Sequence, residues 1–194
     1  MYKVIILDLD GTLVKTSIDW NSIRVKIGKL LGLSEHAQLR PIATAVLTQY
    51  RNSEKFPKVM KLIEDEELRS IEGAEYPKEL PELLREVKRC GYKLALVTLR
   101  SRRTAKPLLI KLSILDVFDV VMTRDEAHDR SSQLVKIVEY FEVGREDVLF
   151  IGDWTGDEEA GRATGIRTVI VKGPEEVVVL LSNLLRSAEE VSNS

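Results

Sequence analysis

The sequence has a single cysteine, Cys90, which excludes a disulfide within the chain. It has no uninterrupted apolar run of roughly 18 residues, the length that a membrane-spanning helix requires. Its N-terminus enters a strand pattern directly and shows neither the basic nor the apolar region of a signal peptide. We therefore expect a protein that neither crosses a membrane nor is secreted, with the cytoplasm as its location.

Neither sign of charge is in excess, because 29 Lys and Arg stand against 31 Asp and Glu. This balance does not predict the broad basic surface of a nucleic-acid-binding protein, although a small anionic substrate would need only a local positive pocket. Asn and Gln are scarce, numbering seven together, while charged residues form 31% of the chain. Such a composition is typical of thermophile proteins, and we expect a thermophilic source.

The most informative stretch lies near the start, where an apolar run ends in two acids and a tight turn. Residues 4–7 read Val-Ile-Ile-Leu, the pattern of a strand covered on both faces, as in parallel α/β sheets. Asp8 and Asp10 follow at the carboxyl end of this strand, where such sheets bind ligands. Two acids so close favour a cation, and Mg²⁺ prefers oxygen ligands. Gly11 and the hydroxyl of Thr12 would suit the close approach of an anion.

Taken by itself, this motif would be read as an Asp-Gly turn that closes a strand. Two later strand patterns, however, also end in polar residues. The first covers residues 92–97 and ends at Thr98. The second covers residues 147–152 and is followed by Asp153 and Asp157. Because the carboxyl ends of parallel strands meet at one edge of a sheet, we expect these groups to lie together.

In this order the motifs resemble those of the haloacid dehalogenase superfamily of phosphohydrolases, through Asp8-Leu9-Asp10-Gly11-Thr12, Thr98, and Gly152-Asp153 with Asp157. The resemblance covers nearly the whole chain. It implies an α/β fold, with a Rossmann-like doubly wound parallel sheet and a small all-helical cap domain. It also implies a Mg²⁺-dependent phosphatase that acts on a small phosphorylated metabolite, with a layout similar to phosphoglycolate phosphatase.

The resemblance further implies a role for each matching residue. Asp8 would be the nucleophile that forms an aspartyl-phosphate, and Asp10 would be the general acid and base. The residues expected to contact the phosphate or the rest of the substrate are Gly11, Thr12, Thr98 and Leu99, the last at a position where many relatives carry Asn. The expected magnesium ligands are Asp8, the carbonyl of Asp10, Asp153 and, through a coordinated water, Asp157.

The sequence departs from the family pattern at the lysine that usually precedes the last motif and neutralises the nucleophile. Residues 123–133 contain no lysine. We predict that Arg130 replaces it, because it supplies a permanent cation near the start of a helix, whereas a shifted alignment would place His128 there. Lys136 lies too far into that helix. Lys15 would suit a second anionic group on the substrate, the alternative being a solvated lysine at a hinge.

A block of helical periodicity separates the first two strands. Apolar residues recur at helical spacing from Trp20 to Leu31 and stop at Gly32. Ser34 is a candidate cap for a helix over residues 35–50, which Pro41 would start anew or kink. Residues 57–69 predict a third helix. This block corresponds to the cap that one group of the superfamily carries at this position.

We predict that residues 1–16 and 74–194 form the catalytic core and that residues 17–73 form the cap. A cap of this kind excludes water from the site and selects the substrate. In the core, the remaining pattern predicts helices over residues 79–90, 104–112 and 133–141, a short helix after Asp153, and strands over residues 117–122 and 168–171.

Two other functions remain open from the sequence. A phosphomutase would use the same aspartyl-phosphate but return the phosphoryl group to a bound sugar. A binding module for a phosphate ligand or a protein would keep the fold and lose turnover where the lysine was replaced. The sequence shows no coiled-coil repeat, so a monomer and a homodimer are both compatible with it.

Overall fold

The computed structural model describes residues 2–33 and 39–192. Within these ranges there are five strands, which are β1 (Val4–Asp8), β2 (Lys93–Val97), β3 (Val120–Met122), β4 (Val148–Gly152) and β5 (Arg167–Ile170). They form one sheet in the order β3-β2-β1-β4-β5, and every neighbouring pair is parallel. The predicted α/β class and doubly wound parallel sheet are confirmed.

The central strand β1 carries the first motif to the middle of the sheet edge. Asp8 lies beside Val97 of β2, and Leu7 lies beside Ile151 of β4. The chain therefore leaves all three strands at neighbouring points, which brings the three polar motifs together. The side chains of β1 alternate between two apolar clusters, one on each face of the sheet. This explains why its apolar run is continuous rather than alternating with polar residues.

Three helices lie between β1 and β2, namely α1 (Trp20–Leu31), α2 (Ile42–Gln49) and α3 (Phe56–Arg69). The side chain of Asp19 caps α1, and Gly32 ends it in the left-handed conformation, as the stop at this glycine predicted. Pro41 precedes α2. The predicted cap residue Ser34 and the start of the helix predicted over residues 35–50 lie outside the described residues.

We call α1, α2 and α3 the cap helices. Their buried apolar side chains form a cluster of their own, built around Ile23, Ile27, Val46 and Ile63, which shares no described residue with the two clusters of the sheet. Where the chain enters and leaves this block, Lys15 pairs with Glu75 in an isolated antiparallel bridge. The domain boundaries at residues 16/17 and 73/74 stay a prediction.

The remaining helices are α4 (Leu80–Arg89), α5 (Arg102–Lys111), α6 (Arg130–Phe141), α7 (Thr155–Thr164) and α8 (Pro174–Ser192). Helix α6 begins earlier than predicted because the Asp129 side chain accepts a hydrogen bond from the backbone N–H of Ser132 and so caps it. Helix α8 was not predicted from the sequence, although Val177, Leu181 and Leu185 are buried at helical spacing. Among the helices described, none combines the length and apolar character that a membrane span needs.

Candidate active site

Three carboxylates meet at the carboxyl edge of the sheet. Asp8 ends β1, Asp153 follows β4, and Asp157 lies in the first turn of α7. One carboxylate oxygen of each lies within 4.8 Å of the others. Asp8 and Asp157 are buried, while Asp153 is half-buried. The structure thus brings together the side chains of three of the four acids that the sequence predicted as magnesium ligands.

Arg130 joins this cluster from the first position of α6. Its Nη2 donates to Oδ1 of Asp8, and its Nε donates to Oδ1 of Asp157 at 2.8 Å. The remaining Nη1 donates to Oε1 of Gln133 at 2.9 Å, and the guanidinium carbon lies 5.7 Å from the centre of the Phe150 ring. Several contacts therefore fix the planar guanidinium of Arg130, and its positive charge lies beside Asp8, the expected nucleophile.

Burial raises the pKa of two acids in the cluster, Asp8 and Asp153. It raises the pKa of the Asp8 carboxyl well above its ordinary value; Arg130 opposes this shift, and the charges of Asp157 and Asp153 add to it. Burial, with the nearby charge of Asp157, also raises the pKa of Asp153 to about 6. A metal cation bound beside Asp8 and Asp153 would act in the same direction as Arg130 and favour the ionised forms of these two carboxyl groups.

The donor set fits Mg²⁺, because it offers carboxylate oxygens only and concentrates like charges that a hard cation would neutralise. Oδ1 of Asp157 is held by Arg130, and Oδ2 accepts from the backbone N–H of Asp153 at 3.3 Å. These contacts suit the supporting role that the sequence predicted for Asp157. Asp8 and Asp153 are then the side chains that would hold the ion directly.

Gly11 makes room for this arrangement. It has φ +81°, and a Cβ built on it would lie only 2.0 Å from Oδ2 of Asp153. The neighbouring Thr12 has a buried hydroxyl oxygen without a hydrogen-bond partner in the described part of the chain. A buried hydroxyl in this position is an available donor or acceptor for a ligand.

Asp10 lies in the same cavity, but its carboxylate is turned to different partners. Oδ2 accepts from Nε of Arg100 and Oδ1 from Nη2, both at 2.7 Å, and Oδ1 also accepts from the hydroxyl of Thr16 at 3.0 Å. Arg100 is buried, whereas about a quarter of the Asp10 side chain, 26%, is exposed. Whether the carbonyl of Asp10 is a metal ligand stays a prediction.

Thr98 follows β2 and stands at the edge of the cavity. Its Oγ1 accepts a hydrogen bond from the backbone N–H of Arg100 at 3.1 Å, which leaves the hydroxyl hydrogen free to be donated elsewhere. Its carbonyl accepts from Nε2 of Gln133 at 2.8 Å, so Gln133 links Thr98 to Arg130. Leu99 lines the same cavity.

The structure does not bring every predicted residue to this site. Nζ of Lys15 pairs with Glu175 of α8 at 2.8 Å on the protein surface, and Lys15 is not among the residues that line the cavity. His128 is exposed, and its carbonyl accepts from the hydroxyl of Thr44. Nζ of Lys136 donates to the carbonyl of Glu126. Of the candidates for the missing lysine, Arg130 is therefore the one in contact with Asp8.

Residues of the cap helices and residues at the sheet edge line one cavity of about 310 Å³. The part of the chain between β1 and β2 contributes Trp20, Arg24 and the segment from Arg40 to Ala43 to the lining, and Asp8, Asp10 and Asp153 line the same cavity. Burial lowers the pKa of the Arg24 guanidinium, and the neighbouring positive charge of Arg40 lowers it further. Neither arginine forms a salt bridge within the described residues.

The buried polar residues near the site that were missed from the sequence include Glu67, Arg100, Arg124 and Gln133. Glu67 is a cap residue, and the other three belong to the sheet part of the chain. A signal was available for Arg100, because it stands two residues after Thr98 in an unusually basic turn, Arg100-Ser101-Arg102-Arg103. Glu67 gave no such signal, since acids on a helix are usually solvated.

Comparison with known proteins agrees with this geometry. Residues 5–171 match the profile of the family described as haloacid dehalogenase-like hydrolase. The phosphoglycolate phosphatase of Nitrosospira multiformis is 28% identical over 182 residues, which cover 84% of this chain and 80% of that enzyme. The phosphoglycolate phosphatase of Aquifex aeolicus is 28% identical over 181 residues, covering 87% of this chain and 84% of that enzyme.

A solved structure shows the same fold. A haloacid dehalogenase-like hydrolase from Streptococcus pneumoniae superimposes with a TM-score of 0.64 at 21% identity, covering 93% of this chain and 90% of that one. The family profile spans all three polar motifs, from the strand before Asp8 to the strand after Asp157. The chain therefore belongs to the haloacid dehalogenase-like hydrolases, which confirms the resemblance that its motifs predicted.

Proposed function

We propose that this protein is a Mg²⁺-dependent phosphomonoester hydrolase that cleaves a small phosphorylated metabolite in the cytoplasm through an aspartyl-phosphate on Asp8. The observation that carries the proposal is the environment of Asp8. Its carboxylate sits at the sheet edge within 4.8 Å of Asp153 and Asp157, and Arg130 balances part of its charge. A carboxylate so placed can attack an anionic phosphoryl group, because the surrounding cations offset the repulsion between nucleophile and substrate.

In the first half of the reaction, a carboxylate oxygen of Asp8 forms a bond to phosphorus, and the bond from phosphorus to the leaving oxygen breaks. Asp10 gives its proton to that leaving oxygen. Thr98 donates its free hydroxyl hydrogen to a phosphoryl oxygen, and Arg130 stabilises the negative charge beside Asp8. The alcohol product then leaves, and the phosphoryl group remains on Asp8.

In the second half, a water molecule attacks the phosphorus of the aspartyl-phosphate. Asp10, now a carboxylate, accepts a proton from that water, and the bond between phosphorus and Asp8 breaks. Inorganic phosphate leaves, and both carboxyl groups return to their starting forms. When bound by Asp8 and Asp153, with Asp157 in support, Mg²⁺ would supply charge neutralisation for the phosphoryl oxygens.

We further propose that the substrate carries a second anionic group on the side of the cap. Arg24 and Arg40 line the same cavity as the acids, and neither forms a salt bridge within the described residues. Burial lowers the pKa of Arg24, the charge of Arg40 lowers it further, and Asp19 opposes this only as the smallest cause, so an anion between the two guanidinium groups would relieve their repulsion. Two relatives that match most of this chain are named phosphoglycolate phosphatases. A phosphorylated carboxylic acid of that size is therefore the substrate class we favour.

The test of the hydrolase function is phosphate release from a panel of phosphomonoesters, with Mg²⁺ present or chelated, by wild type and by Asp8→Asn. We expect metal-dependent release that the Asp8→Asn variant loses. Asp116→Asn is the matched control, because it makes the same chemical change at an exposed residue and should retain full activity. Product that keeps its phosphate would identify a mutase, and binding without turnover would identify a binding module.

The test of the substrate class compares 2-phosphoglycolate with 2-hydroxyethyl phosphate, which replaces the carboxylate by a neutral group. Arg24→Gln and Arg40→Gln should each raise KM for the first compound and leave KM for the second unchanged. Arg51→Gln, at an exposed arginine that does not line the cavity, should change neither. Equal changes for both compounds would contradict a second anionic group.

A further inference from the structure

The side chain of Arg100 donates four hydrogen bonds, two to Asp10 and two to residues at the end of cap helix α3. Its Nε and Nη2 hold the two oxygens of Asp10, at 2.7 Å each. Its Nη1 donates to the carbonyl of Glu67 at 2.8 Å, and Nη2 also donates to Oγ of Ser70 at 2.9 Å. Arg100 thus connects the expected acid-base group to the end of cap helix α3.

The end of α3 is itself fixed to the sheet part of the chain. The carboxylate of Glu67 accepts from Nη1 of Arg124 at 2.5 Å and from the hydroxyl of Thr104 at 2.7 Å. The side chains of Glu67 and Arg124 are each 1% exposed. Nη1 of Arg124 also donates to the carbonyl of Leu99 at 2.8 Å, next to Arg100 in the chain. A displacement of α3 would therefore disturb the surroundings of Arg100.

We propose that Arg100 is a positioning residue that fixes the carboxyl group of Asp10 for proton transfer, and that the docked end of α3 holds Arg100 in place. The inference rests on the proposed function, in which Asp10 is the general acid and base. It makes the position of the acid depend on the docking of the cap.

The geometry explains why such a residue is needed. A general acid must lie within hydrogen-bond reach of the oxygen that it protonates, yet a free aspartate side chain rotates among several rotamers. A bidentate guanidinium fixes the plane of the carboxyl group as well as its position. Each carboxyl oxygen has two lone pairs; Oδ1 uses both, for Arg100 and Thr16, whereas Oδ2 accepts from Arg100 alone and keeps a site for the transferred proton. The exposed part of Asp10 belongs to the cavity wall, where the leaving group would lie.

The experiment measures kcat/KM for two substrates that differ in their need for an acid. An alkyl phosphomonoester has a poor leaving group that requires protonation, whereas p-nitrophenyl phosphate releases a stable anion without it. Because kcat/KM reports steps up to formation of the aspartyl-phosphate, it isolates the step in which Asp10 is the acid. Arg100→Gln should lower kcat/KM for the alkyl ester at least about tenfold more than for the aryl ester, since a general acid contributes about 10²–10⁴-fold.

The ratio of kcat/KM for the alkyl ester to kcat/KM for the aryl ester is insensitive to effects that a purely structural role would produce. Loss of positive charge or of folded protein lowers both values equally and leaves the ratio unchanged. Arg100→Lys keeps a positive charge but loses the bidentate contact with Asp10. Its ratio of the two kcat/KM values should therefore lie between those of wild type and Arg100→Gln. Ser70→Ala removes one contact of Arg100 and should shift the ratio in the same direction by less, which keeps the proposal testable if Arg100→Gln fails to fold.

Arg103→Gln is the matched control, because Arg103 is an exposed arginine at the start of α5, three residues after Arg100, and pairs with Glu64 of the same cap helix. It should leave the ratio unchanged. Equal losses on both substrates in the Arg100 and Ser70 variants would overturn the positioning role. That failure is distinct from failure of the proposed function, in which wild type itself would release phosphate from neither substrate.

Discussion

Arg130 donates from Nε to Oδ1 of Asp157 across 2.8 Å, and both side chains are buried. Because the same guanidinium also holds Asp8, removing it leaves two buried carboxylates without their charge partner. We expect Arg130→Met to lower the free energy of unfolding by about 3–5 kcal/mol in the metal-free protein, as measured by urea denaturation.

A conservative replacement and an exposed control test that prediction further. Arg130→Lys restores the residue type usual in the family and keeps the charge, but it loses the fork, so it should recover only part of the stability. Arg162→Met removes an exposed pair with Glu158 in α7 and should change stability by no more than about 0.5 kcal/mol. An Arg130→Met protein as stable as wild type would contradict the balance of charge described for this cluster.

Asp153 should make the metal-free protein less stable as the pH rises. Burial and the charge of Asp157 raise its pKa in the folded protein to about 6, against an ordinary value of 3.8 in the unfolded chain. The folded state therefore binds a proton that the unfolded state releases between these values, and stability falls across that range. The destabilisation reaches its full size above about pH 6 and is absent below pH 3.8, the pKa of the carboxyl in the unfolded chain.

It follows that Asp153→Asn should unfold at a higher temperature than wild type at neutral pH without metal. The difference should shrink as the pH falls toward 3.8, the ordinary value of the carboxyl. Added Mg²⁺ should raise the unfolding temperature of wild type and do so less for the variant, because a ligand stabilises the state that binds it. Calorimetric scans over pH would check both effects, and a variant less stable than wild type at neutral pH would contradict the first.

Gly11 and Gly32 offer a matched pair of substitutions. Both have positive φ, at +81° and +74°, but a Cβ on Gly11 would meet Asp153 while one on Gly32 would meet no described atom within 4 Å. Gly32→Ala should therefore cost only the backbone strain, about 1–2 kcal/mol. Gly11→Ala should lower the free energy of unfolding by more than Gly32→Ala does, and it should weaken Mg²⁺ binding as measured by isothermal titration calorimetry. Equal costs with unchanged Mg²⁺ binding would mean that Asp153 moves aside freely.

Glu67 and Arg124 should show strong coupling in a double-mutant cycle. Either single change, Glu67→Met or Arg124→Met, removes the nearest ion-pair partner of a buried charge and should lower the free energy of unfolding by about 3–5 kcal/mol, although Glu64 remains 3.7 Å from Arg124. The double variant should cost much less than the sum, because no unpaired charge remains. The exposed Lys61–Asp65 pair on the same helix should couple by no more than about 0.5 kcal/mol. Additive costs for Glu67 and Arg124 would contradict a direct interaction.

Much of this arrangement follows from local sequence patterns. The apolar run before Asp8 predicted a strand covered on both faces, and Gly32 predicted the end of α1, because both depend on residues close in the chain. Parallel pairing then places Asp8, Asp153 and Thr98 at one edge without any further information. Arg130 was predicted from the absence of a lysine where the family usually has one, and the structure places it against Asp8.

Other features depend on contacts between distant parts of the chain. Glu67 and Arg124 are 57 residues apart, and nothing in the neighbourhood of either indicates that both are buried. The pairing of Lys15 was missed for a related reason, since its partner Glu175 lies at the start of α8, which was not predicted. Helix α5 likewise begins at Arg102 rather than 104, where the N–H of Arg102 donates to the side chain of Asp125.

The separate apolar cluster of the cap helices has a consequence for engineering new specificity. Since that cluster shares no described residue with the clusters of the sheet, a foreign cap could be grafted without redesigning the hydrophobic interior of the recipient. The graft would have to reproduce a few polar positions instead, above all a buried acid in place of Glu67 and a small hydroxyl in place of Ser70. Compatibility between donor and recipient would then be screened at those two positions before any whole-sequence similarity is considered.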